Sequence, residues 1–498
     1  MNDRSAPPPN VDPYRALGVR PFINCCSVRT LHGGSLMLPQ VRAAMDAASR
    51  QYVNLDELMA AANRRIAELT GAEAGIVTCG SAAAVALATA ACVAGNDPVR
   101  MLRLPHTEGW TNRVVMPRNQ RFAYDQAIRM VGTVIIEVDT LAEFEAAIQE
   151  PTAMICVLGT HEAMASFRLE DMVGLARLRG IPVLVDAASE HIERPSPWLV
   201  RGADMVIYSG GKFLRGPQTS GLLLGRKDLV EAAWRNASPH QALGRPMKVS
   251  KEDVVGLIAA LEYWFEQRDP AVELKRWRGA LAEIAARLGP DVATEVIEPS
   301  GVVMVPRLRV RWDAARFGID GEGVRLALLE REPRVMLDDT ATTANSLEID
   351  PFGIQPGEAV EVGRAIAAVL ASHAKAAAAP STAAAETDVS GEWDVVVNFV
   401  HGPRKHRLRL NQAGGTLTGE QSSEQFEGAV TGNLNARSVS LNFVTRLEGN
   451  TVSYRLDGDV AGGRMSGTAT LGSVTDHHKG PFGRGQFGTA AWQAVRSA

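Results

Sequence analysis

Apolar and polar positions change their spacing along this chain, and the changes divide it into segments. Upstream, Pro39 opens a helix over Val41–Arg50. The residues Leu55, Leu58, Met59, Ala62, Ile66 and Leu69 then recur at helical spacing until Thr70-Gly71, where a glycine cap ends the pattern. From Ala74 onward short apolar runs alternate with helical patterns. Ala74–Thr78 predicts a strand before a small-residue helix that opens at Ser81. Val99–Leu104, Val131–Val138 and Ala153–Leu158 read as strands, with helices over Leu141–Gln149 and Asp171–Arg179. Two further apolar strands follow, one running from Ile181 to Asp186 and one over Ala203–Tyr208. Thr219–Gly225 comes so soon afterwards that no crossover helix fits between, so that strand is predicted antiparallel. Alternation of this kind implies a doubly wound, mainly parallel sheet with its ligand at the carboxyl ends of the strands.

Downstream the pattern changes twice. Lys251 to about Leu288 is helical, Val302–Trp312 alternates as a strand, and Gly323–Glu330 and Glu358–Ala371 read as helices upon it, a small α+β unit. A stretch rich in Ala, Pro, Ser and Thr then reads as a linker. Beyond it the period becomes two: short alternating segments from Gly391 to Ser497, parted by turns such as Ala413-Gly-Gly, Gly449-Asn and Ala461-Gly-Gly, predict a closed barrel of about eight strands. The expected organisation is a start at 1–20, a large domain at 21–255, a connector and small domain at 256–373, a linker at 374–390 and a barrel at 391–498.

Composition narrows the class. The chain has 498 residues, 46% hydrophobic and 22% charged, enough for several cored domains. A formal net charge of -4 offers no general attraction to nucleic acid or anionic membrane. The polar, proline-rich start has no signal-peptide pattern, and no apolar run reaches the roughly 20 residues of a membrane helix. The 5 cysteines lack metal-ligand spacing, and Cys25 and Cys26 are adjacent, so reduced thiols in a cytoplasmic protein are expected and no metal is. His477 and His478 read as a solvated pair.

Chemistry concentrates at three strand ends. The strand Ala203–Tyr208 runs into Ser209-Gly-Gly-Lys212-Phe-Leu-Arg-Gly-Pro-Gln218; small residues there admit a ligand close to the backbone, and a desolvated lysine forms Schiff bases. The neighbouring strand ends in Asp186. An amine and a carboxylate so placed are what a pyridoxal phosphate site needs: one holds the aldehyde, the other keeps the pyridine nitrogen protonated. The third element, Thr78-Cys-Gly80 before the helix at Ser81, presents free amides and a hydroxyl to a phosphate. It has neither the G-x-x-x-x-G-K-[ST] nor the G-x-G-x-x-G spacing.

With these blocks in place, residues from about Pro21 to Ala371 resemble the fold-type I pyridoxal phosphate enzymes of the selenocysteine synthase (L-seryl-tRNA selenium transferase)-like group, D-glucosaminate-6-phosphate ammonia-lyase branch. Ile23-Asn24, Tyr52–Leu58, Thr78–Ala84, Val185–Ala188, Ser209–Gln218 and Ser238–Lys248 carry the resemblance, the lysine block most specifically. It implies that Lys212 holds the cofactor and serves as base, that Asp186 pairs with the ring nitrogen, and that Gly80, Ser81 and Ala82, with Ser209, cradle the phosphate. It also implies that His106 stacks on the ring, that an amino acid or amino sugar acid is the substrate, and that the enzyme is a homodimer or larger. Arg29, Arg215, Arg245 and Lys248 are candidates for binding substrate anions. Met116–Asp125 departs from the branch's basic segment. The implied reaction is α,β-elimination with ammonia release through a carbanion at the substrate's α carbon; racemase, aldolase and aminotransferase chemistry share that carbanion and stay open. The rival class is a non-catalytic protein that binds a ligand in the barrel.

Overall fold

A computed structural model describes residues 12–300, 304–374, 387–424, 426–473 and 487–497. Seven strands form the main sheet, in the order Ala74–Thr78, Gly221–Gly225, Met205–Ser209, Val183–Asp186, Thr152–Leu158, Arg113–Pro117 and Val134–Val138. Consecutive apolar residues make these strands because both faces are covered. Leu222, Leu223 and Leu224 are all fully buried, and burial of each contributes on the order of 1.5–3 kcal/mol. Val41, Met59, Ile66, Leu87 and Leu257, from the surrounding helices, close the same core. Gly221–Gly225 pairs antiparallel with both Ala74–Thr78 and Met205–Ser209, as its short connection requires. Two antiparallel pairings restore direction, so Thr78, Asp186 and Ser209 all end at one edge of the sheet.

In the main sheet two elements differ from the sequence expectation. Val99–Leu104 is not a strand: Pro98–Arg103 is a helix, because Asp97 accepts hydrogen bonds from the Val99 and Arg100 amides (2.9 and 3.3 Å) and Pro98 fits the first helical turn. Val99 and Leu102 stay exposed, so no sheet face competes for them. The strand that fills that place is Arg113–Pro117, between Thr152–Leu158 and Val134–Val138. Its buried run is only Val114, Val115 and Met116 before Pro117, too short to register as a period.

A second core gathers around Leu308, Ile349 and Ile366, where Arg307–Arg311 pairs antiparallel with Ala293–Ile297 and Ser346–Ile349. Phe22–Cys25 joins this core by pairing parallel with Arg334–Leu337, a long-range contact that local pattern does not announce. The third core fills a closed barrel of eight strands from Gly391–Phe399 to Thr489–Arg496, as the alternating segments predict. Trp393 and Trp492 are buried there, their indole N–H groups donating to the Val389 and Asp457 carbonyls (2.8 and 3.0 Å). His477 and His478, and most of the linker, lie outside the described residues. Among the described residues no helix is long and apolar enough to cross a membrane.

The Gly33-Gly34 turn meets the lysine loop. Ser35 donates to the Gly211 carbonyl from both its amide and its hydroxyl (each 3.0 Å), and Gln218 donates to the Thr30 carbonyl (2.9 Å). Gly34 has φ +70°, and a Cβ there would lie 2.5 Å from the Gly211 oxygen. Gly34→Ala is therefore expected to cost roughly 1–3 kcal/mol, read as a lower denaturation midpoint with an unchanged slope.

Candidate active site

The shared edge of the main sheet opens into a cavity of about 690 Å³ lined by Gly80, Ser81, Ala82, Asp186, Ser209 and Lys212, among others. Strand ends place the amine and the acid. Met205–Ser209 delivers Lys212 three residues beyond its last position, and Asp186 is the last residue of the adjacent strand, register-paired with Ile207. The Lys212 Nζ donates to the Ser189 hydroxyl (2.7 Å). Burial lowers the amine's pKa, and the pull of Asp186 in the other direction does not cancel it. Asp186 is buried, with one carboxylate oxygen accepting from the Ala188 amide (2.9 Å). Burial raises its pKa, opposed by that amide and by Lys212. Burial in the same pocket thus lowers the pKa of the lysine and raises that of the carboxyl.

The phosphate end is built from Gly80 and the helix Ser81–Ala94. Gly80 caps it at φ +94°, and the first helical amides have no partner within the helix. Gly221, on the neighbouring strand, approaches so closely that a Cβ would lie 2.4 Å from the Gly80 carbonyl carbon. Any side chain at 221 would displace the Gly80–Ser81 backbone. Amides at a helix start, a lysine and a buried acid are a donor set that fits pyridoxal phosphate.

Other expected residues lie elsewhere. His106 follows the helix Pro98–Arg103 and does not line the cavity; the strand end expected to present it is absent. Arg29 is held by Asp338 (2.5 Å) and Asp339 (2.9 Å). Arg215 adopts φ +55° and donates to the Leu36 carbonyl (3.2 Å). Arg245 and Lys248 are likewise outside the lining. In their place the cavity wall carries Thr160, His161, Ser189 and Gln218, together with Arg121 and Tyr124. Thr160 and His161 follow the end of Thr152–Leu158, so the rule that ligands sit beyond carboxyl ends would have found them. Gly449, Asn450 and Thr451, from the barrel, also line it; their turn gives no local sign of that role.

Behind Asp186, Glu190 accepts from the Trp198 indole (2.8 Å), and burial raises its pKa to about 7. That value exceeds the ordinary 4.5, so its stabilising proton is fully held below pH 4.5 and lost as pH rises through 7. His191, pushed down to about 4 by burial, acts oppositely, destabilising as pH falls from 6.5 through 4. Glu190→Gln removes the first effect alone. The stability difference between variant and wild type is expected to grow by up to about 3 kcal/mol from pH 4.5 to 7, read by urea unfolding. A constant difference across that range would refute the shift.

Comparison with known proteins agrees with this geometry. The L-seryl-tRNA selenium transferase family model matches residues 26–288. A D-glucosaminate-6-phosphate ammonia lyase of Salmonella typhimurium is 32% identical over 361 residues, 70% of this chain and 95% of that one. A 5'-C-glycyluridine monooxygenase-decarboxylase of Streptomyces is 32% identical over 378 residues, 72% of this chain and 92% of that one. The solved structure of a D-glucosaminate-6-phosphate ammonia-lyase superposes with a TM-score of 0.66 at 29% identity, covering 73% of this chain and all of that one. The chain belongs to the L-seryl-tRNA selenium transferase family, and it is a fold-type I enzyme that works with pyridoxal phosphate.

Proposed function

We propose that the protein is an ammonia-releasing lyase acting on an amino acid or amino sugar acid with a β-hydroxyl group. The observation that carries this reading is the pairing of a lysine of lowered pKa with a buried carboxyl at adjacent strand ends, in one cavity with the Gly80–Ala82 amides. Lys212 would hold the cofactor's aldehyde carbon, Asp186 the proton on the pyridine nitrogen, and Gly80, Ser81, Ala82 and Ser209 the phosphate. When bound, pyridoxal phosphate supplies an electron sink for the pair left at the substrate's α carbon. Lys212 would take the α proton of the substrate at Nζ. It then passes a proton to the departing β-oxygen, which leaves as water. The resulting enamine takes up water and yields a keto acid and ammonia. His161, whose Nδ1 lies 3.0 Å from the Thr160 hydroxyl, lines the cavity and would be the imidazole available to the cofactor in place of His106.

Burial holds the Lys212 pKa below its ordinary value, which favours the neutral amine that this chemistry needs. The reading extends to a homodimer or larger assembly in the cytoplasm. Tyr52 is wholly exposed and Val53 half so, between two helices, and the described cysteines are free thiols. Screening D- and L-amino acids and amino sugar acids for ammonia and keto acid release is the test. Release of carbon dioxide, or racemisation without ammonia, would reject the lyase.

A further inference from the structure

The barrel lies beyond residues 26–288, which the family model matches, yet it reaches the cavity. The contact is the turn Glu448-Gly449 between its strands Ser438–Leu447 and Asn450–Ala461. Glu448 holds φ +53° and accepts from the Arg121 guanidinium (2.7 Å). Arg121 also donates to Asp125 (2.6 Å) and pairs with Glu137. Asp125 is fully buried and Arg121 nearly so. Gly449 sits so close that a Cβ would lie 2.3 Å from both the Asp125 carboxylate and the Phe122 carbonyl oxygen. A buried charge network and a fit that admits only glycine fix the turn at the cavity mouth. Asn450 and Thr451, half-buried, are thereby held as wall.

The character of that wall is neutral and hydrogen-bonding. Asn450 and Thr451 join Tyr124, Thr160 and Thr219 around the mouth. Among the described residues Lys212 and Arg121 are the only lysine and arginine in the lining, and three carboxylates already occupy Arg121. A phosphate on the distal end of a substrate would find, among the described lining residues, no arginine free of carboxylates and no lysine besides Lys212. A hydroxylated chain finds partners for each of its groups.

We infer that the barrel turn is a specificity-determining wall of the active site, and that Asn450 and Thr451 select a substrate with a neutral, polyhydroxylated tail and no terminal phosphate. The inference rests on the lyase reading for the site but is tested apart from it. Full-length protein is first loaded with pyridoxal phosphate and trapped with borohydride; absence of label on Lys212 would sink the lyase reading itself. D-gluconate, which has the hydroxylated chain and no amine to react, is then titrated calorimetrically into untrapped protein, alongside 6-phospho-D-gluconate. Wild type is expected to bind gluconate, Asn450→Ala/Thr451→Val to bind it at least tenfold more weakly with the Lys212 label intact, and the phosphorylated acid to bind no more tightly than gluconate. Equal gluconate affinity in variant and wild type, no binding of gluconate to wild type, or tighter binding of the phosphorylated acid would each overturn the inference.

Discussion

Lys212→Ala is expected to give a folded protein whose kcat/KM is lower by ~10⁴-fold or more. Lys212 stands in the cavity rather than in any of the three cores, and its side chain donates to the Ser189 hydroxyl, so truncation removes chemistry and little packing. The amides at Gly80–Ala82 and the Asp186 carboxyl remain, so the variant still takes up pyridoxal phosphate, but reversibly. Borohydride fixes the label in wild type and not in the variant, and peptide mapping places it at 212. Lys212→Arg keeps a cation without a nucleophile at neutral pH, and is expected to be as inactive as alanine. Because burial lowers the amine's pKa, wild type should load the aldehyde at a lower pH than a free lysine would. Retention of even a hundredth of the activity in either variant would show that another amine does the work.

The parts of this site that sequence makes legible are those fixed by local order. An apolar run that stops at Asp186, another that stops at Ser209 before Gly-Gly-Lys212, and a third that stops before Gly80 need only the rule that strand ends face the ligand. The antiparallel Gly221–Gly225 strand and the closed barrel follow from spacing in the same way. What escapes is whatever depends on contact between distant segments. Asp97 turns Val99–Leu104 into a helix by capping, against an apolar content that suits either state. The ring of Asp125, Glu137 and Glu448 around Arg121 is likewise assembled from separate segments. Glu448 is 327 residues away along the chain, so no local pattern could reveal that the barrel completes the pocket. Arg29 fails as an anion site for the same reason, because Asp338 and Asp339 arrive from the second core.

Asp186→Asn is expected to lower kcat by about 10²–10³-fold, roughly 3–4 kcal/mol, while KM and cofactor content stay near wild type. Asparagine has the same shape, and its amide oxygen can still accept from the Ala188 amide, so the strand end is preserved. What it lacks is the negative charge that holds a proton on the pyridine nitrogen. Without that charge the electron sink the cofactor supplies would be weaker, and removal of the α proton would become the slow step. A deuterium isotope effect at that carbon should accordingly rise in the variant, a change that a merely structural role for Asp186 would not produce. Asp186→Ala separates the two contributions further: it also strands the Ala188 amide in a buried site, at a cost of about 1–3 kcal/mol, and is expected to lose cofactor affinity as well as kcat. Burial raises the Asp186 pKa, so the empty wild-type protein loses stability as pH rises through that group's folded value, and the asparagine variant does not. If Asp186→Asn turned over within threefold of wild type with an unchanged isotope effect, the proton on the ring nitrogen would have to be held by some other group, and the pairing of strand ends on which the lyase reading depends would fail.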